Sequence, residues 1–300
     1  MAKLFIAIIS FMSVAVAAQT TGHDVYIADL AVKNTLLQVS NISALTDRPE
    51  YDNQPFFLAD GETLLITSAI VAQGQEQTDS FLYQLAGGKP RNITNSEFSE
   101  YSPTLMPNGI DISVIKVIGD KQKLWRYALQ NDRSEKALPS ELLKDVDPVG
   151  YHAWIDQTQV MLFVLGEPHS LQLANIETQS SRVIDSNIGP SLYKIPGTDL
   201  MSYTATKDEG DNPLWELKSF DPKTQKIAVL SQLPDGAYYY GWSGDGKTIA
   251  AQGSVLKQWD FKRPGKDWRT FADLSETCPK GITRLTTNAQ NTRIAVVCSR

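Results

Sequence analysis

Carboxylates and aromatic rings in short polar segments between apolar runs are where this chain could do chemistry. The segments read TDRPEYDNQP (46–55), TNSEFSEYSP (94–103), KDVDPVGYHA (144–153), DSNIGP (185–190), LPDGAYYYG (233–241) and SETCPKG (275–281). They offer the acids Glu50, Asp52, Glu100, Asp147 and Asp235, the rings Tyr51, Phe98, Tyr101, Tyr151 and Tyr238, and also Arg48 and His152. Rigid rings with polar neighbours suit a protein or peptide surface, since they supply contact area at low entropic cost. Clustered carboxylates, with Asn187 as a further oxygen donor, suit calcium. The first chemistry describes a binding module. The second describes a calcium-dependent hydrolase of the lactonase or esterase type, and a sugar or small-molecule site is a further alternative.

Motifs of covalent catalysis do not support an enzyme. Gly241-Trp-Ser243-Gly-Asp245 fails a G-x-S-x-G nucleophile elbow at its last position. Gly246-Lys247-Thr248 carries the closing letters of a phosphate loop but opens a strand, whereas that loop must open a helix. Asp208-Glu209-Gly210-Asp211 lacks the ligand spacing of a calcium loop and reads as a solvated connection. No catalytic residue and no obligate cofactor is assigned.

The elements that must position these segments follow from a repeat. Taking Gly61 as a ruler, equivalent turns fall at Gly109, Gln157, Gly197, Gly246 and Asn291, spaced by 40 to 49 residues. An apolar residue stands three places after each, inside LLITS, ISVIKV, VMLFVLG, LMSYTA, IAAQG and IAVVC. Apolar run, tight Gly/Asn/Asp turn and apolar run make a β-hairpin. Third strands follow at SFLYQLAGG, KLWRYALQND, HSLQLANIETQ, PLWELKSFDPKTQ and VLKQWDFKRPG, and fourth strands at PRNIT, SEKALP, SRVIDS, KIAVLS and WRTFADLS. Four short antiparallel strands per repeat of this length are a propeller blade.

The last hairpin, GITRLTTNAQNTRIAVVCSR, has no third or fourth strand after it, while HDVYIADLAV and NTLLQVSN stand unused near the start. The chain is therefore expected to be all-β: one six-bladed propeller of four-stranded blades over residues 19–300, closed by N-terminal strands that complete the last blade. Closure hides sheet edges that would otherwise invite pairing with other chains. The polar segments become the links between blades, which encircle one end of the central channel.

Charge and composition narrow the partners. The chain has 300 residues, 42% of them hydrophobic, and a net charge of -6 with no basic block, which argues against nucleic acid. MAKLFIAIISFMSVAVAAQT has one early cation, a short apolar run and small residues at Val16 and Ala18, as in a secretory leader cut after Ala18. A soluble, periplasmic or secreted monomer with no membrane span is expected from residue 19 onward. Cys278 and Cys298 flank the last hairpin and are expected to be bridged in an oxidising compartment.

The hairpins resemble the TolB-like, or PD40, version of the WD40-like repeat. Leu45-Thr46 precedes Pro55 and Ala59-Asp60-Gly61; Ile93-Thr94 precedes Pro103 and Pro107-Asn108-Gly109; Ser243-Gly244-Asp245-Gly246 is another copy. The resemblance implies a six-bladed propeller with a periplasmic binding role. Blade sequence starts soon after Ala18, so the α/β domain that precedes the propeller of TolB is not read here. The expectation is an exported, non-enzymatic propeller that binds a protein or peptide through its links.

Overall fold

The computed structural model describes residues 22–72, 75–130, 138–206, 213–263 and 267–300. The leader through Ala18 and the Asp208–Asp211 segment lie outside the described residues. Two N-terminal strands come first, β1 (His23–Lys33) and β2 (Leu36–Ala44). Blade one is β3 (Asp52–Phe57), β4 (Thr63–Ala72), β5 (Gln75–Gln84) and β6 (Arg91–Asn92). Blade two is β7 (Ser99–Leu105), β8 (Asp111–Ile118), β9 (Lys121–Ala128) and β10 (Ser140–Glu141). Blade three is β11 (Val149–Trp154), β12 (Gln159–Val164), β13 (Ser170–Asn175) and β14 (Ser180–Ser186). Blade four is β15 (Ile188–Lys194), β16 (Met201–Ala205), β17 (Glu216–Phe220) and β18 (Ile227–Gln232). Blade five is β19 (Tyr240–Trp242), β20 (Lys247–Gln252), β21 (Val255–Asp260) and β22 (Arg269–Asp273). β23 (Ile282–Thr287) and β24 (Arg293–Ser299) begin blade six, which β1 and β2 complete in the order β2-β1-β24-β23. The fold is the six-bladed, terminally closed propeller that the repeat predicts.

The turn chemistry is local and recurrent. Gly61, Gly109 and Gly246 take φ of 73, 72 and 88°, a region where a Cβ is costly. Asp60 Oδ1 accepts from the amides of Glu62 and Thr63, and Asn108 Oδ1 from those of Ile110 and Asp111. Asn288 does the same for Thr292 and Arg293. These side chains hold the first hairpin of a blade by bonds within the turn itself.

The core lies between blades, as six apolar clusters, one for each pair of neighbours. This explains why the second strand of a blade is apolar on both faces. In β24, Ala295 and Val297 pack toward blade one, whereas Ile294, Val296 and Cys298 pack toward blade five. Full burial of each of these Val and Ile side chains contributes about 1.5–3 kcal/mol. The outermost strands β14 and β18 are largely exposed.

Closure is specified in detail. Val25 pairs with Val297 and Ile27 with Ala295 across β1 and β24. Arg300 pairs with Asp24 and Asp47, and Arg293 with Asp29. Gln258 of blade five, 1% exposed, accepts from the Leu37 amide at 2.6 Å and donates to the Thr35 carbonyl at 3.0 Å. Cys278 and Cys298 are bonded, with Cα atoms 5.0 Å apart. One boundary shifts: the outermost strand of blade two is Ser140–Glu141, where SEKALP was expected. Most of SEKALP lies outside the described residues, and Pro139 has no amide hydrogen to give to β9.

Candidate functional site at the channel mouth

The innermost strands β3, β7, β11, β15, β19 and β23 surround the channel. Most are kinked on entry. Gln54 and Ser102 take φ of 56 and 54° at register breaks against β4 and β8, each followed by a proline. Gln54 Oε1 ties the two kinks, accepting from the Ser102 amide and from Thr67 Oγ1, both at 2.7 Å. Bulges of this kind re-aim side chains. Here they flank a cavity of about 100 Å³ whose lining includes Tyr151, Tyr193 and Arg284.

Arg284 is the centre of this site. Its Nη2 donates to the Tyr151 hydroxyl at 2.6 Å. Its guanidinium carbon lies 4.7 Å from the Tyr151 ring centroid and 4.3 Å from that of Tyr239. Tyr51 and Tyr193 complete the group that feels its charge, and Tyr101 acts electrostatically on Tyr51. The innermost strands of blades two, three and four, and the links entering those of blades one and five, thus each bring a tyrosine, while blade six brings the arginine. Burial pushes the Tyr51, Tyr193 and Tyr239 hydroxyls above the usual phenol range, partly offset by Arg284. The rings stay neutral at neutral pH, so the cluster carries a positive charge. Among the described residues no carboxylate lies within 4.0 Å of that guanidinium.

The acids named from the sequence stand elsewhere, each beside its own cation or in solvent. Asp52 is fully buried and takes Arg48 through two bonds of 2.7 Å, with Glu50 3.8 Å from the same guanidinium. Glu100 is fully buried, 3.3 Å from Lys116 Nζ, and accepts from Tyr127 at 2.9 Å. Phe98 covers Lys116, whose Nζ is 4.8 Å from the ring centroid. Asp147 faces Lys121 and Lys123 at 3.4 and 3.5 Å. Asp235 is exposed. Asn187 takes φ of 53° just before β15. Among the described residues no three or more His, Cys, Asp or Glu are grouped to hold a metal ion, so the calcium alternative draws no ligand set from them.

The aromatic candidates divide. Tyr51 stacks edge-on against His23 at 5.5 Å, and Tyr101 packs on the core between blades two and three. Tyr151 joins the channel group. Tyr238 is exposed at the rim, 5.1 Å from Trp215 and 4.8 Å from Tyr239. His152 lines the cavity but is 7% exposed, with Nε2 2.7 Å from Ser113 Oγ. Trp154 Nε1 donates to the same hydroxyl at 2.8 Å, and His152 Nδ1 has no partner that would orient the ring as a base. Blades four and five repeat the arrangement: Tyr240 and Trp242 both donate to Ser202 Oγ at 2.9 Å. A serine–histidine pair whose histidine is replaced by tyrosine in another copy is a strut between blades.

Gly241–Thr248, GWSGDGKT, in fact supplies every letter of G-x-x-x-x-G-K-T. The structure makes it a hairpin: the Gly246 amide bonds the Ser243 carbonyl, Lys247 is paired with Asp245, and Thr248 lies inside β20. A phosphate loop needs the following helix for its dipole and free amides.

Sequence reasoning missed Arg284 and Tyr193, and did not join Tyr239 of the link LPDGAYYYG to them. The available signal was a charge inside ITRLTT, an innermost strand where every neighbour is apolar or a hydroxyl residue.

No family model matches this chain, and no curated protein matches it. Solved structures do. A putative TolB from Agrobacterium tumefaciens superposes with a TM-score of 0.67 at 12% identity, covering 94% of this chain and 99% of that one. TolB from Acinetobacter baumannii gives 0.56 at 10% identity, over 91% of this chain and 63% of that one. An oligogalacturonate lyase in complex with manganese gives 0.55 at 15% identity, over 88% and 82%. The likeness is one of fold: a six-bladed propeller of the TolB type.

Proposed function

We propose that this chain is an exported, non-enzymatic propeller that holds a protein or peptide partner at the link end of its channel. The observation that carries this reading is the gathering of Tyr51, Tyr101, Tyr151, Tyr193, Tyr239 and Arg284 from six blades at one mouth. All six are partly exposed, and tyrosine and arginine are the residue types that dominate binding hot spots. The TolB structures with the same fold support the reading, as does the N-terminal sequence, which reads as a secretory leader ending near Ala18. No described helix is long and apolar enough to cross a membrane.

The test is capture from an envelope extract with three forms of the purified protein. The native form and Lys223→Ala, altered at the opposite end in the β17–β18 turn, should recover the same partner. Tyr151→Ala/Tyr239→Ala should lose it by about 30-fold or more, the scale of one hot-spot residue. Equal recovery by all three forms removes this face from the reading.

A further inference from the structure

We infer that Arg284 is a receptor for a carboxylate, so that the partner enters the channel acid first, by its chain terminus or by an Asp or Glu side chain. This rests on the link end being the binding face.

A guanidinium has five N–H donors in a rigid fork. At Arg284 one is used, on the Tyr151 hydroxyl. None of its nitrogens is sealed without a partner, so the unused donors face the open cavity. Other deeply placed cations are matched inside the protein: Lys116 by Glu100 and Lys247 by Asp245. Arg284 has only neutral phenols around it. Tyr151 and Tyr239 fix its position by cation–π contact, which holds the group without neutralising it. A fixed, unpaired fork at a partly desolvated mouth is preorganised for a planar anion that accepts two parallel bonds.

The space favours the end of a chain over a bulky ring. The cavity at Arg284, about 100 Å³, holds roughly three waters, enough for a carboxylate and its first carbon. Beyond it the channel opens into a second cavity of about 420 Å³ that shares Phe56, Tyr193 and Thr286 and adds Leu105 and Trp242. An apolar side chain next to the acid would find its place there.

The test uses short peptides on residues 19–300, read by calorimetry or by quenching of intrinsic fluorescence at millimolar peptide. The probes are acetyl-Gly-Gly-Leu acid, its C-terminal amide, and acetyl-Gly-Glu-Gly amide. The native protein should bind the acid, or the internal Glu, at least 10-fold more tightly than the Leu amide; which of the two wins names the source of the carboxylate. Arg284→Gln should lose about 10- to 100-fold and remove the preference. Arg284→Lys should restore part of it, since a point charge lacks the fork. Unchanged melting of the variants guards against misfolding, and Lys223→Ala, in the β17–β18 turn at the opposite end, should keep the preference. Failure of both the Leu acid and the internal Glu to bind more tightly than the Leu amide, no binding of any probe, or a preference that survives in Arg284→Gln overturns the inference. If the tyrosine-dependent capture above still holds in that case, the face stands and the carboxylate alone falls; if capture is indifferent to the tyrosines, the face itself falls.

Discussion

His152 Nε2 lies 2.7 Å from Ser113 Oγ, and the bond joins two blades. The imidazole is in β11 of blade three and the hydroxyl in β8 of blade two. Trp154 anchors the same oxygen at 2.8 Å. In the copy between blades four and five, Tyr240 stands where His152 stands, with Ser202 and Trp242 in the other two places. The polar strut is therefore conserved within the molecule while the titratable group is not.

That difference predicts a pH effect. Burial pushes the His152 imidazole down from the usual range to about 3. The unfolded chain takes up a proton below about 6.5, and the folded chain does not until much lower. The contribution of His152 is thus fully present above about pH 6.5 and lost as pH falls toward 3, at about 1.4 kcal/mol per pH unit. His152→Tyr should keep neutral-pH stability within about 2 kcal/mol and flatten the acid limb by that slope. Urea unfolding of both proteins at pH 7, 5.5 and 4.5 checks it; parallel pH profiles would refute the assignment.

The Cys278–Cys298 bond ties the link into β23 to the end of β24, inside the cluster that also holds Ala28, Leu30 and Leu37 of the N-terminal strands. Its sequence separation of 20 corresponds to a loop-entropy contribution of roughly 3 kcal/mol. Cys278→Ala/Cys298→Ala should lower Tm by about 6–12 °C, given roughly 2–4 °C per kcal/mol for chains of this order of size. Scanning calorimetry of the oxidised native protein and the double variant decides. An equal Tm would mean that β1 and the ion pairs of Arg293 and Arg300 close the ring unaided.

The blades were legible because their determinants are local. A turn needing positive φ at Gly61, Gly109 and Gly246, with Asp60 or Asn108 beside it, announces itself in sequence, as does the double-faced apolar strand RIAVVC. The missing strands of the last repeat pointed to β1 and β2 by subtraction. The site was far less legible. Asp52 and Glu100 look like solvent-facing link acids, but the bulges that follow them rotate the strand and bury both against Arg48 and Lys116. Such convergence depends on neighbours 4 to 16 residues away whose side chains give no pattern in sequence. The meeting of Arg284 with Tyr239 was hidden for the opposite reason: the two come from different blades, and only the ring brings them to 4.3 Å.

Lys116 offers the sharpest test of this buried chemistry. It lies 3.3 Å from Glu100 and 2.7 Å from the Tyr127 hydroxyl, which itself donates to Glu100 at 2.9 Å. Burial raises the Glu100 carboxyl above the usual range, while bonds from Ser96 and Tyr127 and the charge of Lys116 pull it back. Because the folded value is raised, the contribution of Glu100 is fully present below the ordinary carboxylate range and lost as pH rises through the folded value. Lys116→Met removes one of the groups that restrain this rise and leaves a buried charge unmatched, at a cost of about 3–5 kcal/mol at pH 7. At pH 4.5 the folded variant can protonate Glu100, and the deficit should shrink by at least half. Lys116→Met/Glu100→Gln, with no charge left to bury, should recover much of the loss at pH 7. Urea unfolding at the two pH values distinguishes these outcomes: a deficit equal at both would mean that Lys116 acts through its contacts with Phe98 and Tyr127 and not through the charge of Glu100.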